Sequence, residues 1–225
     1  MILFHGDSYT WGSGLEYHYL VEEQGYSWKD CEKFLPSEER LEMFPRDLHL
    51  YRENNRFASI VGKELNMKEI VTSYRNGGDT FNIIDRLNSG QCQWDSPNIF
   101  LHIVQFSAPN RNLPDNFKVQ PIEDVMRYQI DKIHSLVEGN WLGISWFPEY
   151  AELMKEMYPD KLITIDYENE THDSFEHLTQ RDGLSYASTF GLDDYHFTLE
   201  GHKLIADSII KKIKELNKPN ELLNI

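Results

Sequence analysis

The chain has 225 residues, with 22 lysines and arginines against 37 aspartates and glutamates, and a formal net charge of −15 at pH 7. Because 40% of its residues are hydrophobic and 13% are aromatic, it can bury a core, which excludes an intrinsically disordered chain. The excess of acid disfavours binding of nucleic acid or anionic lipid through a broad basic surface. This length is typical of one α/β domain, so we expect a single domain over residues 1–225.

The cysteine content and the N-terminal residues indicate the compartment in which the protein is expected. Cys31 and Cys92 are too few for a disulfide scaffold and form no CxxC pair, so we expect free thiols. Residues 1–8 contain no basic leader, and no window approaches the roughly 18 apolar residues of a membrane helix. We therefore expect a cytoplasmic or otherwise soluble protein with no membrane partner. The nine histidines show no HExxH or comparable ligand spacing, so we expect no metal site.

Five short apolar runs alternate with helical patterns along the chain. The runs, each predicted to be a strand, cover residues 1–4, 69–72, 99–106, 141–147 and 162–166. The run at 99–106 is almost continuously apolar, which is typical of a parallel strand covered on both faces. Strand–helix alternation of this kind predicts a three-layer α/β/α sandwich around a central five-stranded parallel sheet.

Apolar residues at helical spacing predict the helices between these runs. The stripes extend over residues 57–65, 80–87, 122–137, 153–157 and 205–216. Asp79 directly precedes the second stripe and is a suitable N-cap.

Residues 13–54 interrupt this rhythm. They stand where a strand-to-helix connection usually takes about 2–6 residues. Their many aromatic residues, among them Tyr17, Trp28 and Tyr51, could line a substrate pocket. We predict an inserted cap or binding element at about 13–54; the alternative is a rigid excursion that packs elsewhere on the domain.

A candidate nucleophile follows the first predicted strand. Ligands of open α/β sheets bind at the carboxyl ends of the strands, and Ser8 is placed at such an end. A serine hydroxyl needs a base to take its proton, and the base needs an orienting acid. Asp193 and His196 lie three residues apart near the other end of the chain, close enough for one loop to present both side chains.

These residues resemble a known family. Residues 6–10, Gly-Asp-Ser-Tyr-Thr, resemble the first block of the SGNH (GDSL) hydrolases, and residues 193–202 resemble their last block. The resemblance implies a flavodoxin-like fold of the SGNH type. It also implies Ser8 as nucleophile, His196 as base and Asp193 as the carboxylate that orients the base.

The middle blocks of the family supply donors for an oxyanion. Gly78 fits the glycine whose backbone N–H serves this role. The third block is normally Gly-x-Asn-Asp, but residues 105–110 read Gln-Phe-Ser-Ala-Pro-Asn. Strict register would put Ser107 in the asparagine position. We favour Asn110, because its amide is the better donor, and keep Ser107 as the alternative.

The resemblance implies a serine esterase that forms an acyl-enzyme. Its substrate would be a small-molecule or carbohydrate ester with a short-chain acyl or O-acetyl group, and no cofactor is implied. Two alternatives stay open. One is an SGNH-fold binding module or pseudoenzyme that holds a glycan or protein partner. The other is an acyltransferase that uses the same triad.

Overall fold

The computed structural model describes residues 1–34, 46–72, 78–90 and 99–216. Cys92 and residues 35–45 of the predicted insertion lie outside them. The strands are β1 (Ile2–His5), β2 (Glu69–Val71), β3 (Leu101–Phe106), β4 (Trp141–Ser145), β5 (Ile165–Tyr167) and β6 (Glu170–His172). The helices are α1 (Ser8–Trp11), α2 (Leu15–Glu22), α3 (Trp28–Phe34), α4 (Arg46–Asn55), α5 (Phe57–Glu64), α6 (Thr80–Asn88), α7 (Ile122–Leu136), α8 (Pro148–Met157), α9 (Tyr186–Phe190) and α10 (Leu199–Leu216), with a 3₁₀ helix at His177–Gln180.

The central sheet is parallel and runs in the order β2-β1-β3-β4 within the described residues. Its register places His5 of β1 opposite Val104 of β3, and Phe106 of β3 opposite Ser145 of β4. The chain leaves β1 for β2 on one side and returns to β3 on the other. The carboxyl ends of β1 and β3 therefore form the point where ligands bind in sheets of this type.

The predicted fifth strand of the sheet is wrong for the part of the chain that the structure describes. Leu162 makes a single parallel bridge to Gly143 at the β4 edge, and the chain then leaves the sheet. Its continuation, β5, pairs antiparallel with β6. Glu168 and Asn169, both with positive φ, form the two-residue connection that such hairpins favour. This local pairing takes the hydrogen bonds that a longer edge strand would have used.

Helices cover both faces of the sheet, as the complete burial of β1 requires, because successive side chains of a strand point to opposite faces. Ile2 and Phe4 face a core layer formed with α5 and α10. Leu3 faces the opposite layer, formed with α6, α7 and α8. Each of these five helices overlaps one of the predicted stripes, although α8 and α10 begin five and six residues earlier than predicted.

The described parts of the predicted insertion form α2, α3 and α4. A buried ion pair joins two of them, because Arg52 Nη1 of α4 donates to Glu16 Oε1 of α2 at 3.0 Å. The Arg52 guanidinium also lies 4.1 Å from the centre of the Trp11 ring. Among the helices that the structure describes, none combines the length and the apolar character that crossing a membrane would need.

Candidate active site

The first strand leads into a tight turn that presents Ser8. Gly6 has no room for a side chain, because a Cβ there would lie 2.1 Å from Thr10 Oγ1. Asp7 caps α1 by accepting a hydrogen bond from the Tyr9 backbone N–H at 3.0 Å. Ser8 is therefore the half-buried first residue of a short helix at the carboxyl end of β1.

The structure brings Ser8 and His196 together from opposite ends of the chain. Ser8 Oγ lies 2.7 Å from His196 Nε2, and His196 Nδ1 lies 2.6 Å from Asp194 Oδ1. Since an ionised carboxylate only accepts hydrogen bonds, Nδ1 carries a hydrogen and donates a hydrogen bond to Asp194. Nε2 is then the acceptor for the Ser8 hydroxyl. This is the arrangement of a nucleophile, a base and an orienting acid.

The carboxylate on the histidine is that of Asp194 and not that of Asp193, the residue expected from the family motif. The same Asp194 oxygen also accepts the His196 backbone N–H at 2.8 Å, two residues along the chain. This hydrogen bond closes a turn from Asp194 to His196 and holds their two side chains together. Asp194 and His196 are half-buried, whereas Asp193 and Tyr195 are exposed.

Charge and burial oppose one another at His196. Burial lowers its pKa, but the hydrogen bond and charge of Asp194, with the charges of Asp7 and Glu16, outweigh this effect and raise the pKa above its ordinary value. At Asp194, burial would raise the pKa, and the contacts with His196 and a hydrogen bond from Tyr17 bring it below its usual range. The site therefore favours the imidazolium–carboxylate pair that forms when His196 takes a proton.

A buried polar network supports the turn that carries Ser8. Gln105 Nε2 donates to Asp7 Oδ1 at 2.6 Å, and Gln105 Oε1 accepts from the Thr10 backbone N–H at 3.1 Å and from its hydroxyl at 2.6 Å. Burial raises the pKa of Asp7, against these hydrogen bonds and the charges of His196 and Arg111. Gln105 stands where the family motif has glycine, and nothing in the sequence spacing pointed to this contact.

Gly78 approaches the turn closely. A Cβ on Gly78 would lie 2.8 Å from the Gly6 carbonyl oxygen and 3.4 Å from Asp7 Cα, so only glycine allows this approach. The next residue, Asp79, accepts the Asn82 backbone N–H at 2.8 Å and caps α6, as predicted. The Gly78 backbone thereby lies beside the residues that precede Ser8.

The two candidates for the third oxyanion donor lie in different environments. His5 pairs with Val104, so Ser8 and Ser107 each lie three residues beyond this pair at the same end of the sheet. Ser107 is 2% exposed, and its hydroxyl has no hydrogen-bond partner within the described residues. Buried hydroxyls are rarely left this way. Asn110 is exposed in the turn that follows.

Aromatic rings hold the catalytic loop against the first helix. The Tyr9 ring lies 4.7 Å from that of His196 and 4.6 Å from that of Trp146, measured between centres. Phe175 closes the same cluster at 5.5 Å from Tyr9. The Tyr9 hydroxyl donates to the Tyr195 carbonyl at 3.3 Å. These contacts restrict the imidazole to the orientation that meets Ser8.

Helix α2 also contacts the catalytic loop. The Tyr17 hydroxyl donates to Asp194, and the Tyr17 ring lies 4.7 Å from that of Tyr186. The other two aromatic residues expected to line a pocket pack within the protein: Trp28 stacks on Phe190 at 3.7 Å, and Tyr51 donates to the Glu22 carboxylate at 2.7 Å. Sequence reasoning placed Tyr17 near the site but gave no reason to pair it with Asp194.

No cluster of three or more histidine, cysteine, aspartate or glutamate side chains suited to a metal ion occurs in the part of the chain that the structure describes. Cys31 is a buried free thiol, and burial raises its pKa. It lies in α3, and no hydrogen bond joins it to Ser8, His196 or Asp194 within the described residues.

Comparison with known proteins gives one informative likeness. No family model matches the chain, and no curated protein matches its sequence. A solved structure, LAE5, described as an alpha/beta hydrolase enzyme from the metagenome of Lake Arreo in Spain, is similar over 96% of both chains, with 12% identity and a TM-score of 0.53. At this identity the likeness shows the fold. That fold is α/β, with helices on a parallel sheet.

Proposed function

We propose that the protein is an SGNH-type serine esterase that cleaves short-chain carboxylic esters through an acyl-enzyme. The observation that carries the proposal is the hydrogen-bonded series Ser8–His196–Asp194, assembled from opposite ends of the sequence. The motif resemblance at both ends supports it, as does an α/β fold like that of a solved hydrolase. Asp194 takes the orienting role that the motif gives to Asp193.

The reaction begins when Ser8 Oγ attacks the ester carbonyl carbon and its proton moves to His196 Nε2. Asp194 stabilises the imidazolium. The imidazolium then gives this proton to the leaving alkoxide, the carbon–oxygen bond breaks, and an alcohol departs from the acyl-enzyme. Water attacks the acyl carbon as His196 takes its proton. Ser8 leaves with that proton, and the carboxylic acid is released.

Three donors would stabilise the negative oxygen of each tetrahedral intermediate: the backbone N–H groups of Ser8 and Gly78, and a side chain from the β3 loop. Two observations favour Ser107 over Asn110 for the third position. Its hydroxyl is buried without a partner among the described residues, and it directly follows β3 at the same end of the sheet as Ser8. A donor of this kind is typically worth about 10²–10³ in kcat.

The proposed substrate class is narrower than the one expected from the sequence. A sugar ester was expected because aromatic side chains of residues 13–54 could stack on a sugar. Tyr17 is engaged with the catalytic loop, and Trp28 and Tyr51 are engaged with neighbouring side chains. We therefore propose an ester with a short-chain acyl group as the substrate, and not a sugar ester.

The decisive experiment measures hydrolysis of 4-nitrophenyl acetate and covalent labelling by a fluorophosphonate. The wild-type protein should do both, with the label on Ser8 by peptide mass spectrometry, and Ser8→Ala should do neither. Ser27→Ala is the matched control. It removes an exposed serine hydroxyl directly before α3 and should behave as wild type.

Each alternative predicts a different result. A wild-type protein that neither hydrolyses the ester nor accepts the label would contradict the esterase and favour a binding module. Labelling of Ser8 with release of the acyl group only when an alcohol acceptor is added would instead identify an acyltransferase, because both reactions share the acyl-enzyme.

A further inference from the structure

Arg111 lies at the edge of the candidate active site. Its Nη1 is 3.4 Å from the carbonyl oxygen of Gly78, the residue whose backbone approaches the Ser8 turn. Its charge also reaches Asp7, the residue before Ser8, and opposes the rise in the pKa of Asp7 that burial causes. Two separate observations thus put this guanidinium beside the catalytic centre, while the side chain itself stays exposed.

The loop that carries Arg111 is anchored on the site. Asn112 Nδ2 donates to Asp79 Oδ2 at 2.7 Å, and Asp79 is 1% exposed at the start of α6. The Arg111 backbone N–H donates to the Ala108 carbonyl at 3.2 Å and closes a turn directly after β3. These two hydrogen bonds hold the backbone around Arg111, and a residue on an ordered backbone loses less freedom when it binds a ligand.

Arg111 has no carboxylate partner within the described residues. Arg52, Arg127 and Arg181 each form an ion pair, with Glu16, Glu123 and Glu170 respectively. A chain with 37 acidic residues offers many such partners, yet the Arg111 guanidinium lies against the Gly78 carbonyl instead. Guanidinium presents paired N–H groups that match a carboxylate in two parallel hydrogen bonds.

We propose that Arg111 binds a carboxylate of the substrate, so that the preferred ester is a half-ester of a dicarboxylic acid. This inference rests on the proposed esterase function and names its substrate class. Hydrogen bonds of ordinary length from the Gly78 N–H and from Arg111 would place the two substrate oxygens roughly 4–8 Å apart. A succinyl or glutaryl group spans that separation.

The test compares mono-4-nitrophenyl glutarate with 4-nitrophenyl pentanoate, a neutral ester with the same number of acyl carbons. The wild-type protein should have the higher kcat/KM on the glutarate half-ester. Arg111→Ala should lower the ratio of the two kcat/KM values by about 10–100-fold, mainly through KM, since hydrogen bonds between charged groups are worth this much. Arg111→Lys keeps the charge but loses the paired donors, so its ratio should lie between those of the wild type and Arg111→Ala.

Arg127→Ala is the matched control, because it removes an arginine held by Glu123 and Glu156 on α7 and α8. It should leave the ratio as in the wild type. A ratio unchanged in Arg111→Ala would overturn the proposal. So would an equal loss on both esters, which is the result expected if Arg111 only supports the Gly78 turn and Asp7.

Glutarate binding to Ser8→Ala separates this proposal from the proposed function. Isothermal titration should detect glutarate, and the signal should disappear in the double variant Ser8→Ala/Arg111→Ala. Arg111-dependent binding together with no Ser8-dependent hydrolysis would contradict the esterase and keep the carboxylate site. Hydrolysis that depends on Ser8, with no glutarate binding and no ester preference, would contradict the carboxylate site alone.

Discussion

The assignment of the triad acid is the sharpest prediction, because two adjacent aspartates compete for it. Asp194→Asn keeps the size of the side chain but removes the charge that raises the pKa of His196. The amide can also accept at one atom and donate at the other, so it stabilises the wrong imidazole tautomer. We expect kcat for 4-nitrophenyl acetate to fall by about 10⁴, or roughly 5.5 kcal/mol of transition-state stabilisation.

Asp193→Asn is the matched control for this substitution. It makes the same chemical change one residue away, on an exposed side chain. We expect its kcat to stay within about threefold of wild type, the scale of a surface charge effect. Thermal unfolding followed by circular dichroism should show both variants folded. If Asp193→Asn is the crippled enzyme and Asp194→Asn is active, the family motif is right and the contact between Asp194 and His196 is not the catalytic one.

Three further predictions concern the base, the oxyanion and the fold. Because His196 must be neutral to accept the Ser8 proton and its pKa is raised, kcat/KM should increase with pH through a midpoint above about 6.5, and a profile flat from about pH 5 to 8 would exclude a histidine base. Ser107→Ala should lower kcat about 10²-fold with little change in KM, and Asn110→Ala should be nearly silent; the reverse result would restore Asn110 as the donor. Arg52→Leu leaves the Glu16 carboxylate buried without its partner and should cost about 3–5 kcal/mol of unfolding free energy in urea titrations, whereas a loss below about 1 kcal/mol would show that the pair is solvated.

Hydrophobic periodicity predicted most of the fold because burial is a local property of each element. The runs that became β1, β2, β3 and β4 differ from their predicted bounds by at most two residues at either end. The same pattern does not predict the pairing partner of the segment after Leu162. This segment is also an apolar run, but the turn at Glu168–Asn169 directs its hydrogen bonds to β6 instead of the sheet.

The candidate site was predictable only where the chemistry depends on sequence order. Ser8 and His196 stood out because a nucleophile and a base occupied the two expected blocks. The choice between Asp193 and Asp194 depends on the turn from Asp194 to His196, in which one Asp194 oxygen meets both the backbone N–H and the ring Nδ1 of His196. The motif spacing favoured Asp193, three residues before His196, and the sequence carried no signal for this turn.

The contacts of Gln105 and Tyr17 carried no comparable signal in the sequence. Gln105 replaces a glycine of the family motif, and its side chain fills the space between Asp7 and Thr10. Tyr17 reaches Asp194 across more than 170 residues of chain. Such pairings arise from the packing of whole elements, so spacing along the chain does not reveal them.

These contacts change how residues 13–54 are understood. A cap that only bound substrate would contact the substrate and leave the pKa values of the acid and the base unchanged. Helix α2 instead provides a hydrogen bond from Tyr17 to Asp194, and the charge of Glu16 acts on His196. Glu16 is in turn fixed by Arg52 of α4. Residues of α2 therefore contribute to the electrostatics of the proposed triad, alongside the larger effects of burial and of the contact between His196 and Asp194.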